Sequence, residues 1–66
     1  MKSVTVSISG MTITFECAVY LVDNDFSEKF LFNAETLEQA HDWVMSNQDL
    51  LEGDNTFGIG DAVNLG

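Results

Sequence analysis

The chain has 66 residues, and its eleven acidic side chains against two lysines give a formal net charge of −9 at pH 7. This length allows one domain with a small core, and such a charge repels nucleic acids and anionic membranes while it attracts basic surfaces. A single cysteine excludes an internal disulfide, and no apolar run approaches the length of a membrane span.

The N-terminal segment predicts a β-hairpin. Val4, Val6 and Ile8 alternate with serine and threonine, the period-two pattern of a half-buried strand, and Ser9-Gly10 suits a two-residue turn. This alternation also differs from the apolar run of a signal peptide, so we expect a cytoplasmic protein. The predicted register pairs Val4 with Phe15, Thr5 with Thr14, Val6 with Ile13, Ser7 with Thr12 and Ile8 with Met11.

The second strand is predicted to run on from Thr12 to about Val22. Its core face would carry Phe15, Cys17, Val19 and Leu21, and its opposite face Ala18, Tyr20 and Val22. After a turn at residues 23–25, a third strand is expected around residues 29–32, with Leu21 opposite Phe30 and Val19 opposite Phe32. Residues 54–66 predict a short fourth strand or an extended segment that covers apolar surface.

The segment 33–52 contains the predicted helix. Thr36 suits the N-cap position and Gln39 completes a capping box, while Glu35 and Glu38 favour the positive end of the helix dipole. The helix is expected to stop at residues 46–47, or to continue as a loose turn to residue 51 with Gly53 at its end. The inward stripe is predicted to contain Leu37, Ala40, His41, Trp43 and Val44.

These elements predict a single α+β domain covering residues 1–66. It would contain a small antiparallel sheet of three to four strands, with one helix packed on one face, in the order ββ(β)α followed by an extended tail.

Three features that resemble catalytic or ligand sites are interpreted as structural. Cys17 and His41 are a nucleophile and a base, but both are predicted to face the core, so no enzyme activity is expected. The DNDFSE run lacks the glycine and the glutamate of a calcium loop, and no metal is expected. Gly58-Ile59-Gly60 has an acid and no base beside it, so no phosphate cofactor is expected.

Carboxylates on the predicted helix give the clearest functional signal. Glu38, Asp42 and Asp49 would fall on one outer stripe, with Met45 between them. Four helical residues advance about 6 Å, comparable to two phosphate steps of about 3.4 Å along a DNA strand. We therefore predict that this row of carboxylates takes the place of a phosphate backbone in a basic nucleic-acid-binding groove. The alternative interpretation is a generic solvated acidic face.

In overall character the chain resembles the small acidic inhibitors encoded by phages and mobile elements, including anti-CRISPR proteins and other DNA mimics. The resemblance lies in size, acidity and the sheet-plus-helix plan. It implies a stoichiometric inhibitor that occupies a basic nucleic-acid-binding surface of a target protein, in a host cytoplasm if the gene is carried by a phage. The predicted interface consists of Glu35, Glu38, Asp42, Asp49, Glu52 and Asp54, with Asp23, Asp25 and Glu28 as a second patch and Tyr20 and Met45 as anchors.

The alternative hypothesis is an assembly module that forms a homodimer. It would self-associate through the face containing Ala18, Tyr20, Val22 and Leu31, or through an open sheet edge. Charge-driven binding should weaken steeply with salt, whereas apolar self-association should not.

Overall fold

The computed structural model describes residues 1–65 and shows an α+β fold, as predicted. Five strands form two antiparallel sheets, one of β1 and β2 and one in the order β4-β3-β5. The elements are β1 (Val4–Ile8), β2 (Met11–Phe15), β3 (Cys17–Val22), β4 (Glu28–Ala34), α1 (Leu37–Ser46), a 3₁₀ turn (Gln48–Leu50) and β5 (Thr56–Gly60).

The β1–β2 hairpin has the predicted register at all of its pairs, from Val4 opposite Phe15 to Ile8 opposite Met11. Ser9 and Gly10 at its turn have φ angles of 50° and 80°. Positive φ at both turn residues is the type I′ geometry, which matches the right-handed twist of the flanking strands.

The predicted long second strand is interrupted at Glu16, which separates β2 from β3. The molecule is elongated, with principal extents of 42 × 22 × 19 Å. The twelve residues from Met11 to Val22 would span about 40 Å if extended, so β2 and β3 together account for the long axis. The hairpin therefore projects from the end of the three-stranded sheet at which β3 begins.

The predicted pairing of β3 with β4 is half correct. Val19 lies opposite Phe32 as expected, but Phe30 pairs with Tyr20 and not with Leu21. A β-bulge between Val19 and Tyr20 shifts the register and leaves Leu31 as the extra residue of β4. A bulge inserts one residue on one strand, and strict alternation cannot anticipate it.

The core lies between α1 and one face of the three-stranded sheet. Cys17, Val19, Ala34 and Ala40 are buried there and form its centre. Aromatic rings close it, with Trp43 edge-on to Phe32 at 4.9 Å and to Phe57 at 5.2 Å between ring centroids. Edge-to-face pairs at this separation contribute about 0.5–1.5 kcal/mol each beyond the area they bury.

The predicted inward face of the helix was too wide. Ala40 is buried and Trp43 and Val44 are half-buried, but His41 and Leu37 are exposed. His41 follows Ala40 and is rotated about 100° from it around the helix axis. A sheet of three strands is too narrow to cover a side chain that points so far from Ala40. Leu37 is exposed because it is the first helical residue and the sheet does not extend beneath it. The pairing of β3 with β4 reaches only to Cys17 and Ala34 at this end.

The C-terminal segment crosses the sheet face opposite the helix after β5 has paired with β3. Asn33 forms two hydrogen bonds with the backbone of Val63, donating at 2.7 Å and accepting at 2.9 Å. The Ala62 amide donates to the Lys2 carbonyl at 3.0 Å. Both predicted forms of the tail are thus found, a strand and an extended cover; its last residue, Gly66, lies outside the described residues.

This cover corrects the surface proposed for self-association. Ala18 is completely buried, and Leu31 packs against the core cluster and not beside Tyr20 and Val22. The four residues therefore do not form one exposed apolar face, because an unanticipated bulge turns Leu31 and the tail covers Ala18.

Candidate acidic interaction surface

The acidic side chains divide into a structural group and a free group. Of the eleven in the chain, three accept hydrogen bonds in the structure: Glu16, Asp23 and Asp61. The remaining eight are exposed and accept no hydrogen bond within residues 1–65. We call these eight the acidic band: Asp25, Glu28, Glu35, Glu38, Asp42, Asp49, Glu52 and Asp54.

The start of α1 positions the first part of the acidic band. Thr36 caps the helix by accepting from the Gln39 amide at 3.0 Å, and the Gln39 side chain accepts from the Glu35 amide at 2.9 Å. This confirms the predicted capping box, with Glu38 in the first turn and Asp42 one turn later. Both carboxylates therefore project from a short rigid helix, followed by Met45, which is 63% exposed.

The helix ends earlier than a continuous acidic stripe requires. The Asn47 side chain donates to the Trp43 carbonyl at 2.7 Å and the Gln48 side chain to the Val44 carbonyl at 2.9 Å. These bonds satisfy carbonyls that the helix leaves free at its C-terminus. Asp49 therefore lies on the separate 3₁₀ turn, and the prediction that it shares one helical stripe with Glu38 and Asp42 is wrong.

The far end of the three-stranded sheet gathers the rest of the acidic band. Val22 pairs with Glu28 on one side and with Thr56 on the other, so the β3–β4 loop and the loop before β5 meet at this end. Asp25 and Asp54 lie in these two loops. Since α1 begins beside Glu16 and leads towards this end, the acidic band extends from the hairpin junction along α1 to the far loops.

The three structural carboxylates are separate from the acidic band. Asp23, predicted as part of the second patch, accepts from the Asp25 and Ser27 amides at 2.9 and 3.1 Å and shapes the turn. Glu16 accepts from the Leu37 amide at 3.2 Å. Asp61 accepts from the Lys2 amide at 2.7 Å and lies 3.9 Å from the N-terminal amino group, the one ion pair within residues 1–65.

Tyr20, predicted as an anchor, is engaged within the molecule. Its hydroxyl donates to the Asp61 carbonyl at 2.6 Å, and its ring lies edge-on to Phe30 with centroids 6.0 Å apart. Gly60 lies beside its ring, since a Cβ built there would be 3.4 Å from the nearest ring atom. Burial, assisted by the charges of Asp61 and Glu28, raises the pKa of Tyr20.

Phe26 is the surface feature that sequence reasoning missed. It is 85% exposed at the tip of the β3–β4 loop, between Asp25 and the start of β4. Its φ of 63° places it in the left-handed region, which is costly for a residue with a side chain. An aromatic residue inside a turn sequence of polar side chains was the available signal.

Cys17 and His41 do not form a reactive pair. Cys17 is buried and its thiol donates to the Thr36 carbonyl at 3.7 Å, whereas His41 is exposed on α1. Burial, and secondarily the Glu16 carboxylate, raises the pKa of the Cys17 thiol, the opposite of what an activated nucleophile needs. Within residues 1–65, no three side chains of the types that bind metals are grouped to hold an ion.

An open groove of about 660 Å³ lies between the hairpin and β4. Phe30 and Leu65 line it from β4 and the tail. Residues of both hairpin faces line the other side: Thr5, Val6, Ser7, Ile8 and Phe15. The groove exists because β2 continues past β4 towards the hairpin tip, so the apolar hairpin face extends beyond the main sheet.

Searches against protein-family models, curated proteins and solved structures found no match to this chain. Among the described residues, no helix has the length and apolar character needed to cross a membrane.

Proposed function

We propose that this chain is a small acidic binding protein that occupies a basic nucleic-acid-binding surface of a target protein. It would act as a stoichiometric inhibitor, in the manner of a DNA mimic or an anti-CRISPR protein, without turnover. The observation that supports this most strongly is the acidic band, whose eight exposed carboxylates accept no hydrogen bond within residues 1–65.

The acidic band lowers the stability of the fold slightly, which favours a role in binding over a role in folding. Like charges one helical turn apart, such as Glu38 and Asp42, destabilise a helix by about 0.2–0.5 kcal/mol. Within residues 1–65 neither Lys2 nor Lys29 forms an ion pair with the acidic band. Glu38 gains from the helix dipole, but Asp42, Asp49 and Glu52 lie beyond its first turn.

The distribution of charge matches a protein partner that binds nucleic acid. All eleven acids follow residue 15, and residues 3–15 contain no charged side chain. The carboxylates therefore lie outside the hairpin, and they would steer a basic surface towards the three-stranded sheet, α1 and their loops. Glu38 and Asp42 are separated by about 6 Å along the axis, close to two phosphate steps of about 3.4 Å.

Phe26 and Met45 supply apolar groups beside these carboxylates. Tight interfaces depend on a few well-packed anchors, with aromatic residues enriched among them. Phe26 is 85% exposed and its backbone is held by the Asp23 carbonyl, which accepts from its amide at 3.0 Å. A large apolar side chain displayed on a strained, hydrogen-bonded turn is suited to insertion into a pocket of the partner.

The test is affinity capture from a bacterial lysate on the immobilised chain at low salt, eluted with a salt gradient. We expect nucleic-acid-binding proteins to be retained and to elute between about 50 and 200 mM salt, where contacts to a series of phosphates also weaken strongly. Added duplex DNA or RNA should compete for the retained protein, because both ligands would occupy the same surface.

Two variants of equal net charge test whether binding depends on the position of the carboxylates or only on their number. E38Q with D42N removes two charges from α1, and D25N with E28Q removes two charges from the far loop, so both variants have the same net charge. We expect the helix pair to lower the eluting salt concentration more than the loop pair does. F26G should also weaken retention while it relieves the positive φ and leaves stability unchanged or higher.

Equal effects of the two charge pairs would contradict an interface centred on α1, because the helix carboxylates would then contribute no more than those of the far loop. Retention that persists in high salt, or that nucleic acid does not compete away, would exclude a shared basic surface. M11A serves as the control for F26G, since both side chains are exposed but Met11 lies on the uncharged hairpin.

A further inference from the structure

The hairpin presents an apolar face that is half-buried towards its base and exposed at its tip. Val4, Val6, Ile8, Met11, Ile13 and Phe15 share this face, as the register requires. At the tip, Ile8 is 57% exposed and Met11 is 65% exposed. A two-stranded ribbon alone is at best marginally stable in water, and it usually needs a further strand or a packed layer.

The charge of the chain indicates which molecule can cover this face. Residues 3–15 contain no charged side chain, whereas the rest of the chain carries the entire net charge of −9. A basic partner would therefore be drawn to the opposite half of the molecule and would find no carboxylate on the hairpin. The hairpin contains the longest uncharged stretch of the chain, residues 3–15, and there two copies of this acidic chain can approach without strong repulsion.

We propose that the hairpin is the interface of a homodimer, in which two copies stack their apolar faces around a two-fold axis. Antiparallel stacking brings the tip of each hairpin into the groove of the other copy. That groove of about 660 Å³ is lined by Phe15, Phe30 and Leu65, and it receives the exposed Ile8 and Met11 side chains. Packed sheet faces lie about 10 Å apart, which allows the two sets of side chains to interdigitate.

This arrangement also keeps the two acidic halves apart. Five residues of extended strand span about 17 Å, so the paired hairpins separate the two halves by about two Debye lengths at physiological salt. Each hairpin face is smaller than the roughly 800 Å² per partner of a standard interface. The dimer therefore belongs to the weak class, with a dissociation constant on the order of 100 μM.

The experiment is sedimentation equilibrium of the whole chain from about 10 μM to about 1 mM, a range chosen to bracket that constant. We expect the weight-average mass to rise from one copy towards two, and added salt to leave the association unchanged or to strengthen it, because salt screens the repulsion. Backbone amide NMR shifts should change with concentration at residues 4–15 and around Phe30 and Leu65.

Paired variants test the two faces of the same hairpin. I8S with M11S removes the apolar tip, and we expect it to raise the dissociation constant at least about tenfold. T12S with T14S trims two methyl groups from the hydroxyl face of β2, outside the groove lining, keeps the hydroxyl that contacts Thr5, and should leave the association unchanged. L65S lies on the groove of the receiving copy and should weaken the dimer without altering the hairpin.

A chain that remains a monomer at about 1 mM overturns the proposal, as do concentration-dependent shifts confined to α1 or equal losses in the two paired variants. None of these substitutions changes the charge. The salt-gradient capture described above is therefore unaffected by them at low concentration, and failure of the dimer is distinguishable from failure of the acidic interface.

Discussion

The hairpin and the three-stranded sheet show that a clear sequence pattern and a buried core do not occur in the same region of this molecule. The hairpin has the clearer sequence pattern and the simpler register, yet its apolar tip residues are exposed. The sheet has a bulge and an unexpected tail contact, yet it contains the buried centre of the molecule. Strict alternation and a type I′ turn therefore specify how two strands pair, but they do not supply the layer that buries the paired face.

Amide hydrogen exchange should show the largest effect of this difference. At low micromolar concentration, where the chain is a monomer, we expect hairpin amides to exchange about a thousandfold faster than those of β3. The hairpin can open locally, whereas β3 is central to the sheet and opens only with the core, at a cost near the global free energy of unfolding. Comparable protection in both regions would mean that the hairpin and the sheet unfold as one unit.

Removing the aromatic centre should affect the sheet half next most strongly. W43A deletes the ring that contacts both Phe32 and Phe57 edge-on. We expect a loss of about 3 kcal/mol in the free energy of unfolding, measured by urea denaturation with circular dichroism. The total free energy of unfolding of a small domain is little larger than this loss.

M45A is the matched control for this substitution, since Met45 is on the same helix but 63% exposed. It should change the free energy of unfolding by less than about 0.5 kcal/mol. Similar losses in W43A and M45A would indicate that helix propensity, and not the aromatic cluster, holds α1 on the sheet.

The smallest expected effect is a decline in stability at alkaline pH that arises only from the sheet half. Burial raises the pKa of Cys17 above its ordinary value of 9.0 and that of Tyr20 above 10.0. The unfolded chain therefore releases these protons first, so the free energy of unfolding falls as pH rises above about 9. Urea midpoints measured between pH 8 and 11 check this sign.

Y20F removes one of the two groups and should reduce the slope above pH 10. Its hydroxyl bond to Asp61 is lost as well, so midpoints are compared with those of the same variant at pH 8. Residues 3–15 contain no group that titrates in this range. A midpoint that rises with pH, or a Y20F curve parallel to that of the unchanged chain, would contradict the assignment.

Sequence reasoning succeeded where the interacting residues are neighbours in the chain. The hairpin register depends on residues at most eleven apart, and the Thr36–Gln39 capping box on residues three apart. It failed at the β3–β4 bulge and at the exposed His41, because both depend on how a narrow sheet meets the helix in three dimensions.

The same division applies to the acidic side chains. The role of Asp23 could have been predicted from the sequence, because its amide partners are two and four residues away and aspartate commonly shapes such turns. Glu16 and Asp61 were not, because their partners lie 21 and 59 residues away. The overall acidity was visible in composition, but the separation of structural from free carboxylates required the fold.

Glu16 also has a mechanical consequence, because it lies where the hairpin joins the rest of the molecule. Its amide donates to the Glu35 carbonyl at 3.3 Å and its carboxylate accepts from the Leu37 amide, so one residue joins the strand bend to the start of the helix. The hairpin beyond it acts as a lever about 17 Å long, and a rotation of about 10° at this pivot would move the tip by about 3 Å. Small angular adjustments at one residue are thus amplified into displacements as large as an atomic diameter at the distal turn.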